Sequence, residues 1–433
     1  MKKETYTVGT DKTDITPPLS IPYLGLYPNR LAYFKGIHDR LYARTLYLND
    51  GDVELLIISA DMIGISDAIL GRNNSFIAQV KEMIGARTGI PASHILLAAT
   101  HAHSTPETID FRPVADIVPD FKPWLKTLME QIASSARTAQ KNCFSARLTV
   151  KKGVVPGLSK NRAGNASLDD ELTVLDFESK EGKKALLVNF TCHPVIMQVQ
   201  PMISADYPGA LTRIVEESLP PGSLCLFLQG ADGDINPLHD DTRNFDDVEK
   251  TGSVLAEEVK RLALLSTPAK DGEDISKPEL RVVSKTVAFK SCPLPDQAEA
   301  ARIDHEVADL ERQVAGGNRA KDITDKLALL HETQSRIRQG ADDRVAPLQL
   351  IRIGNAVLFA MPFEPCCLLG KQLKQMSVKL TGVPVGYANG YLGYVMEPSA
   401  GKGYETLCGP WSQLDQQAFN LTKEHFSKIL AEL

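Results

Sequence analysis

Ile95-Leu-Leu-Ala-Ala-Thr-His101-Ala-His103-Ser-Thr-Pro106 decides how this chain is read. An apolar run of strand length stops at Thr100, and two histidines follow one residue apart. In extended backbone a His-x-His pair sends both rings to one face, because strand side chains alternate with period two. That arrangement suits a metal site or a catalytic pair. The alternative is a buried polar pair satisfied by backbone carbonyls. The wider sequence favours the first reading, because other polar clusters also follow strand-like runs.

Val53-Glu-Leu-Leu-Ile-Ile-Ser59 is a buried-strand run ending at Asp61, and residues 74–89 have the pattern of an amphipathic helix leading back to Ile95. Strand, helix, strand at this spacing is a βαβ signature. Downstream, Phe121, Leu125, Leu128, Ile132 and Ala136 recur every three or four residues and predict a helix over 121–139. Glu171–Phe177 reads as a strand, Ala185–Thr191 is another that ends at Cys192-His193-Pro, and Pro208 opens a helix to about Ser218. Leu224–Leu228 runs into Gln229-Gly-Ala-Asp232-Gly-Asp234-Ile-Asn236-Pro237. Val357–Ala360 leads to Glu364, and Val383–Ala388 leads to Asn389-Gly-Tyr391-Leu-Gly-Tyr394. Upstream, Gly36-Ile-His38-Asp-Arg40-Leu-Tyr-Ala-Arg44 enters a stretch that alternates as a half-buried strand does. Residues 294–340 read as a helical hairpin turning at Ala315-Gly-Gly-Asn318, with stripes of Ile303, Val307, Leu310, Val314 and Leu327, Leu330, Ile337. The expected fold is α/β: a central mixed sheet flanked by helices with this hairpin inserted, all within one domain over 1–433.

Composition excludes several functions. The 433 residues are 43% hydrophobic and 24% charged, and no run approaches the ~20 apolar residues of a membrane span. A net charge of −6 leaves no electrostatic footprint for nucleic acid or anionic lipid. No apolar segment follows the basic start, so a signal peptide is not expected and the location is read as cytoplasmic. Seven cysteines without metal-type spacing are expected to be reduced, buried thiols. The expected partner is a small molecule, with no stable membrane association and a homo-oligomer contact through the hairpin.

His101, His103, His193, Asp234, Glu364 and Tyr394 all lie where strand-like runs stop. In α/β sheets ligands collect beyond the strand carboxyl ends, so these residues are positioned to converge. Imidazoles with a carboxylate suit Zn²⁺, which binds them at about 2.0–2.2 Å and, in catalytic sites, keeps one position open.

The order and wording of these segments resemble the catalytic domain of the neutral ceramidases, zinc amidohydrolases that cleave the amide of N-acylsphingosine. The segments are Gly36-Ile-His38 with Arg40 and Arg44, Thr100-His101-Ala-His103-Ser, Asn161-Arg162, Asn189-Phe-Thr-Cys-His193-Pro-Val, Gly233-Asp234-Ile-Asn236-Pro237, Glu364 followed by Gly370, and Asn389-Gly-Tyr391-Leu-Gly-Tyr394 with Tyr404-Glu405. The resemblance implies His101, His193, Glu364 and Tyr394 as zinc ligands. It gives His103, Arg162 and Tyr404 to the substrate carbonyl or developing oxyanion, and His38, in one of the matching segments, is expected to bind substrate. Two departures stand out. Asn236 occupies the position of the family's catalytic serine and keeps only a hydrogen-bonding role toward substrate or water. The family's C-terminal immunoglobulin-like domain has no counterpart before the chain ends. A mechanism through metal-activated water is therefore expected, with His103 or Asp234 as proton carrier, acting on an N-acylated small molecule. An ester, lactone or phosphoester hydrolase using the same metal, with Asp61, Asp206 and Asp232 as further ligands, and a zinc-binding homologue without turnover are the alternatives.

Overall fold

A computed structural model describes residues 5–23, 32–71, 74–109, 118–164, 167–198, 200–264, 278–340, 342–401, 403, 405–406, 408–409 and 411–432. Its centre is an eight-stranded sheet built from β1 (Tyr6–Asp14), β2 (Tyr42–Asn49), β3 (Glu54–Ala60), β4 (Ile95–Ala99), β5 (Cys143–Val154), β6 (Glu171–Glu178), β7 (Lys184–Phe190) and β8 (Leu224–Gln229), in the order β8-β7-β6-β5-β1-β2-β3-β4. The two outermost pairs, β7 with β8 and β3 with β4, are parallel, and the inner pairs are antiparallel. The Ser59 hydroxyl of β3 donates to the Phe227 carbonyl of β8 at 2.5 Å. The sheet therefore curls until its far strands meet.

A second, four-stranded sheet holds β9 (Leu280–Phe289), β10 (Arg344–Ile353), β11 (Ala356–Ala360) and β12 (Thr381–Val385) in that order, with β11 and β12 parallel. Period-two alternation assigns each side chain to a layer. Leu55 and Ile57 face the core between the two sheets, along with Leu187, Leu226, Ile351 and Leu358. Leu56 and Ile58 point the other way, against α1 (Phe76–Thr88) and α2 (Phe121–Lys141). At the other end of the sheet, Val174, Leu186 and Val188 meet α3 (Asp206–Ser218) and α4 (Phe245–Leu264). Each such fully buried aliphatic side chain contributes roughly 1.5–3 kcal/mol.

Local signals fix the helix ends. Ser75 Oγ accepts the Ala78 amide at 2.9 Å as N-cap of α1, and Gly89 closes that helix with φ 79°. The predicted hairpin is present as α5 (Gln297–Ala315) and α6 (Lys321–Gln339), sharing a small core of Ile303, Val307, Leu310, Val314 and Leu327. α7 (Cys367–Met376) and α8 (Ala418–Ala431) cover the outer face of the second sheet. Among the described residues no helix is long and apolar enough to cross a membrane.

Two sequence expectations are corrected. Tyr42–Asn49 is buried along nearly its whole length rather than half-buried, because β1, β3 and the helices enclose it. Its polar member Arg44 is 3% exposed and ion-paired to Asp61 at 2.8 Å and Glu216 at 3.4 Å. The cysteines are not all reduced, since Cys292 and Cys408 form a disulfide across 116 residues, and Cys143 is exposed rather than buried.

Candidate metal centre

The carboxyl ends of β4, β7, β8, β11 and β12 open onto one place, and residues 386–389 thread between them. Gly386 N–H donates to the Gln229 carbonyl, Ala99 N–H to the Tyr387 carbonyl, Tyr387 N–H to the Phe363 carbonyl and Asn389 N–H to the Leu97 carbonyl. These bonds knit both sheets together at the point where the histidines emerge. Gly233 lets the β8 turn close on this crossing, because a Cβ there would meet the Glu364 and Pro365 carbonyl oxygens at 2.9 and 3.0 Å.

His101 and His103 converge, but not through extended backbone. β4 ends at Ala99, and His101 takes a left-handed φ of 69°, its amide donating to the Met62 carbonyl. The rings then stand edge to face with Nε2 atoms 3.1 Å apart. His193, after β7, brings its Nε2 to 2.8 Å from that of His101. Glu364 Oε2 lies 3.5 Å from His101 Nε2 and 3.7 Å from His193 Nε2. His101, His193 and Glu364 are each 1–2% exposed, whereas His103 is half-buried.

The proton positions follow from the partners. His101 Nδ1 bonds the Ile63 carbonyl and His193 Nδ1 bonds the Asp232 carbonyl, and a carbonyl only accepts. Both Nδ1 atoms therefore carry the proton and both Nε2 atoms turn lone pairs inward. His103 Nδ1 sits 2.8 Å from Gln198 Oε1, which assigns its Nε2 the same way. Burial pushes His101 down to about 3, and burial together with the His101 neighbour pushes His103 and His193 well below the usual imidazole range. Neutral imidazoles with three lone pairs and a carboxylate oxygen at one point form a donor set for a cation, and the three histidines are spaced to hold a metal ion.

Glu364 is itself held by phenols. Tyr391 donates to Oε1, Tyr387 lies 3.2 Å from Oε2, and Tyr394 also bonds the carboxyl. Burial pushes Glu364 up to about 7, and burial plus the Glu364 charge lifts Asp232 well above the carboxylate range.

The chain belongs to the neutral/alkaline non-lysosomal ceramidase family. The pattern described as "Neutral/alkaline non-lysosomal ceramidase, N-terminal" matches residues 6–239. The neutral ceramidase of Mycobacterium tuberculosis is 22% identical over an alignment of 467 positions, covering 87% of this chain and 70% of that one. The Drosophila melanogaster neutral ceramidase is 25% identical over 244 positions, spanning 51% of this chain and 33% of the fly protein. The crystal structure of the neutral ceramidase from Pseudomonas aeruginosa superposes with a TM-score of 0.75 at 19% identity, covering 98% of this chain and 74% of that one. A ceramidase solved with C2 gives 0.73 at 18% identity, covering all of this chain and 76% of its own. These structures share the fold described above.

Within this member of the family the remaining sequence-predicted residues separate into groups. Arg162 lies beside the Tyr394 ring, its guanidinium carbon 5.4 Å from the centroid, and donates to Glu405 Oε1, Asn236 Oδ1 and the Gly233 carbonyl. Asn236 spends both ends of its amide, accepting from Arg162 at 2.9 Å and donating to Asp240 Oδ2 at 2.7 Å. Asn236 thereby links Arg162 to Asp240. Asp234 accepts from Asn161 Nδ2 and from the Cys367 amide at the start of α7, each at 2.7 Å. His38 stacks on Phe245 and bonds Asp39 in a half-exposed setting. Asp61 pairs with Arg44, and Asp206 accepts from the Met197 and Tyr207 amides. Tyr404 lies outside the described residues. Sequence reasoning missed Tyr387 and undervalued Asp232. Tyr387 sits inside an apolar strand-like run, where nothing local marks it as polar machinery.

Proposed function

We propose that the protein is a zinc-dependent hydrolase that cleaves an N-acyl amide bond by water attack. The observation that carries this reading is the buried convergence of the His101 and His193 Nε2 lone pairs with Glu364 Oε2 at the strand carboxyl ends, with the half-buried His103 Nε2 3.1 Å from that of His101. His101, His193 and Glu364 would hold the ion, with Tyr394 beside Glu364. When bound, the ion supplies Lewis-acid polarisation of the acyl carbonyl and makes water acidic enough to attack near neutral pH.

The chain's own groups supply the rest. His103, the more exposed histidine, keeps its proton on Nδ1 against Gln198, so its Nε2 accepts a proton from the attacking water and returns it to the leaving nitrogen. Arg162, clamped by Glu405, Asn236 and the Gly233 carbonyl, holds a fixed positive charge for the developing oxyanion. Asn236 has no nucleophilic oxygen, which leaves water as the attacking group. The amide specificity of the family members named above is the ground for an N-acyl substrate, here a small one.

The test is elemental analysis of the purified protein and of His193→Ala, followed by a panel of N-acylated amines read by release of free amine. About one zinc per chain, lost in the variant, with amine release that depends on zinc, is the expected result. A wild-type protein that takes up no zinc on reconstitution, or zinc equally retained by His193→Ala, overturns the assignment.

A further inference from the structure

One side chain touches, directly or through a single partner, all three groups proposed to hold the ion. The Tyr387 ring stacks on His101 with centroids 3.9 Å apart and planes 17° apart. Its hydroxyl lies 2.8 Å from Asp232 Oδ1 and 3.2 Å from Glu364 Oε2. The other Asp232 oxygen, Oδ2, lies 3.4 Å from His193 Nδ1, the nitrogen whose proton goes to the Asp232 backbone carbonyl. Asp232 is 0% and Tyr387 1% exposed.

Neither residue is explained by packing. Among the described residues Asp232 Oδ2 has no hydrogen-bond partner, and an unsatisfied buried carboxyl oxygen is costly unless something else uses its charge. Tyr387 is held at a φ of 54°, a left-handed conformation that is unfavourable for a bulky side chain. It persists because its amide and carbonyl are fixed between Phe363 and Ala99. A buried carboxyl aimed at a histidine and a strained tyrosine on that carboxyl are independent signs of a built support.

We infer that Asp232 and Tyr387 act as one positioning unit for the metal centre, an inference that rests on the reading of His101, His193 and Glu364 as ligands. The Asp232 backbone carbonyl takes the His193 Nδ1 proton and fixes the tautomer, and the Asp232 carboxyl 3.4 Å away adds negative charge that makes Nε2 a stronger donor. The Tyr387 hydroxyl orients Glu364 and Asp232 together, and its ring limits rotation of His101. Neither residue touches substrate.

The experiment uses metal-free full-length protein titrated with Zn²⁺ against a chelator of known affinity, for wild type, Asp232→Asn, Tyr387→Phe and the double variant. Each single change keeps the shape of its side chain. Thermal unfolding of the metal-free forms is measured alongside. Each single variant is expected to bind zinc about 10- to 100-fold more weakly. The double variant is expected to be no weaker than the poorer single one by more than about threefold, because two parts of one unit are not additive. The metal-free midpoint is expected to hold or rise in Asp232→Asn, since a buried carboxyl without a cation is removed. A wild type that binds zinc while both single variants bind it within about twofold overturns the inference and leaves the ligand assignment standing. A lowered metal-free midpoint with unchanged zinc affinity also overturns it, by marking the pair as packing. A wild type that binds no zinc removes the ligand assignment and this inference together.

Discussion

Reducing the Cys292–Cys408 disulfide should lower stability by an amount the chain itself sets. The bond closes a loop of 116 residues. Chain-entropy scaling for that length gives about 5 kcal/mol of constraint on the unfolded state as an upper figure. Unfolding entropy near the midpoint is about 2 cal/mol/K per residue, so a chain of 433 residues has roughly 0.9 kcal/mol/K in all. The midpoint should then fall by about 5 °C on reduction, and by the same amount in Cys292→Ala/Cys408→Ala without reductant. The same bond anchors the turn where Ser412 bonds the Glu405 carbonyl, and Glu405 in turn holds Arg162. Hydrolytic rate should therefore drop on reduction while zinc content stays constant. The assay is differential scanning calorimetry with and without a phosphine reductant, paired with alkylation under denaturing conditions and mass spectrometry. Five alkylated thiols before reduction and seven after are expected. Seven before reduction, or a midpoint unmoved when the count rises from five to seven, would refute the reasoning.

Three further outcomes are expected. Arg44→Ala strands the buried Asp61 carboxylate and should cost about 3–5 kcal/mol in denaturant unfolding, whereas the exposed pair between Arg213 and Glu249 should cost under about 1 kcal/mol on truncation. Asn236→Ser shortens the bridge between Arg162 and Asp240 and should lower kcat about tenfold with zinc retained, the loss of roughly one charge-assisted hydrogen bond; a gain of activity would contradict the positioning role. Zinc at about 1,000 times its Kd should stabilise the protein by about 4 kcal/mol. That increment should weaken as pH falls below about 7, where a proton competes for Glu364, and vanish near pH 3 as His101 protonates. A zinc effect unchanged below pH 3 would exclude imidazole ligation.

The legible part of this protein was its buried strands and the polar residues at their ends. Ile95–Ala99, Lys184–Phe190, Leu224–Gln229 and Ala356–Ala360 are short apolar runs closed by His, Gly-Asp or Glu, and local pattern marks both the strand and its stop. The hairpin was legible for the same reason, since its stripes repeat at helical spacing. Cys143–Val154 and Leu280–Phe289 were not, because charged residues blur the alternation, falling in the first strand on both faces, Arg147 and Lys151 on one and Lys152 on the other. The disulfide was equally invisible, because separation along the chain says nothing of proximity.

Local periodicity and side-chain identity marked the buried strands, their stops and the residue types available for chemistry. Only the tertiary structure decided which of those groups meet. It turned His101 through a left-handed kink, spent Asp234 and Asn236 on holding neighbours, and brought Tyr387 and Asp232 behind the histidines. Those outcomes depend on long-range backbone hydrogen bonds between two sheets, and no stretch of sequence contains both partners of such a bond.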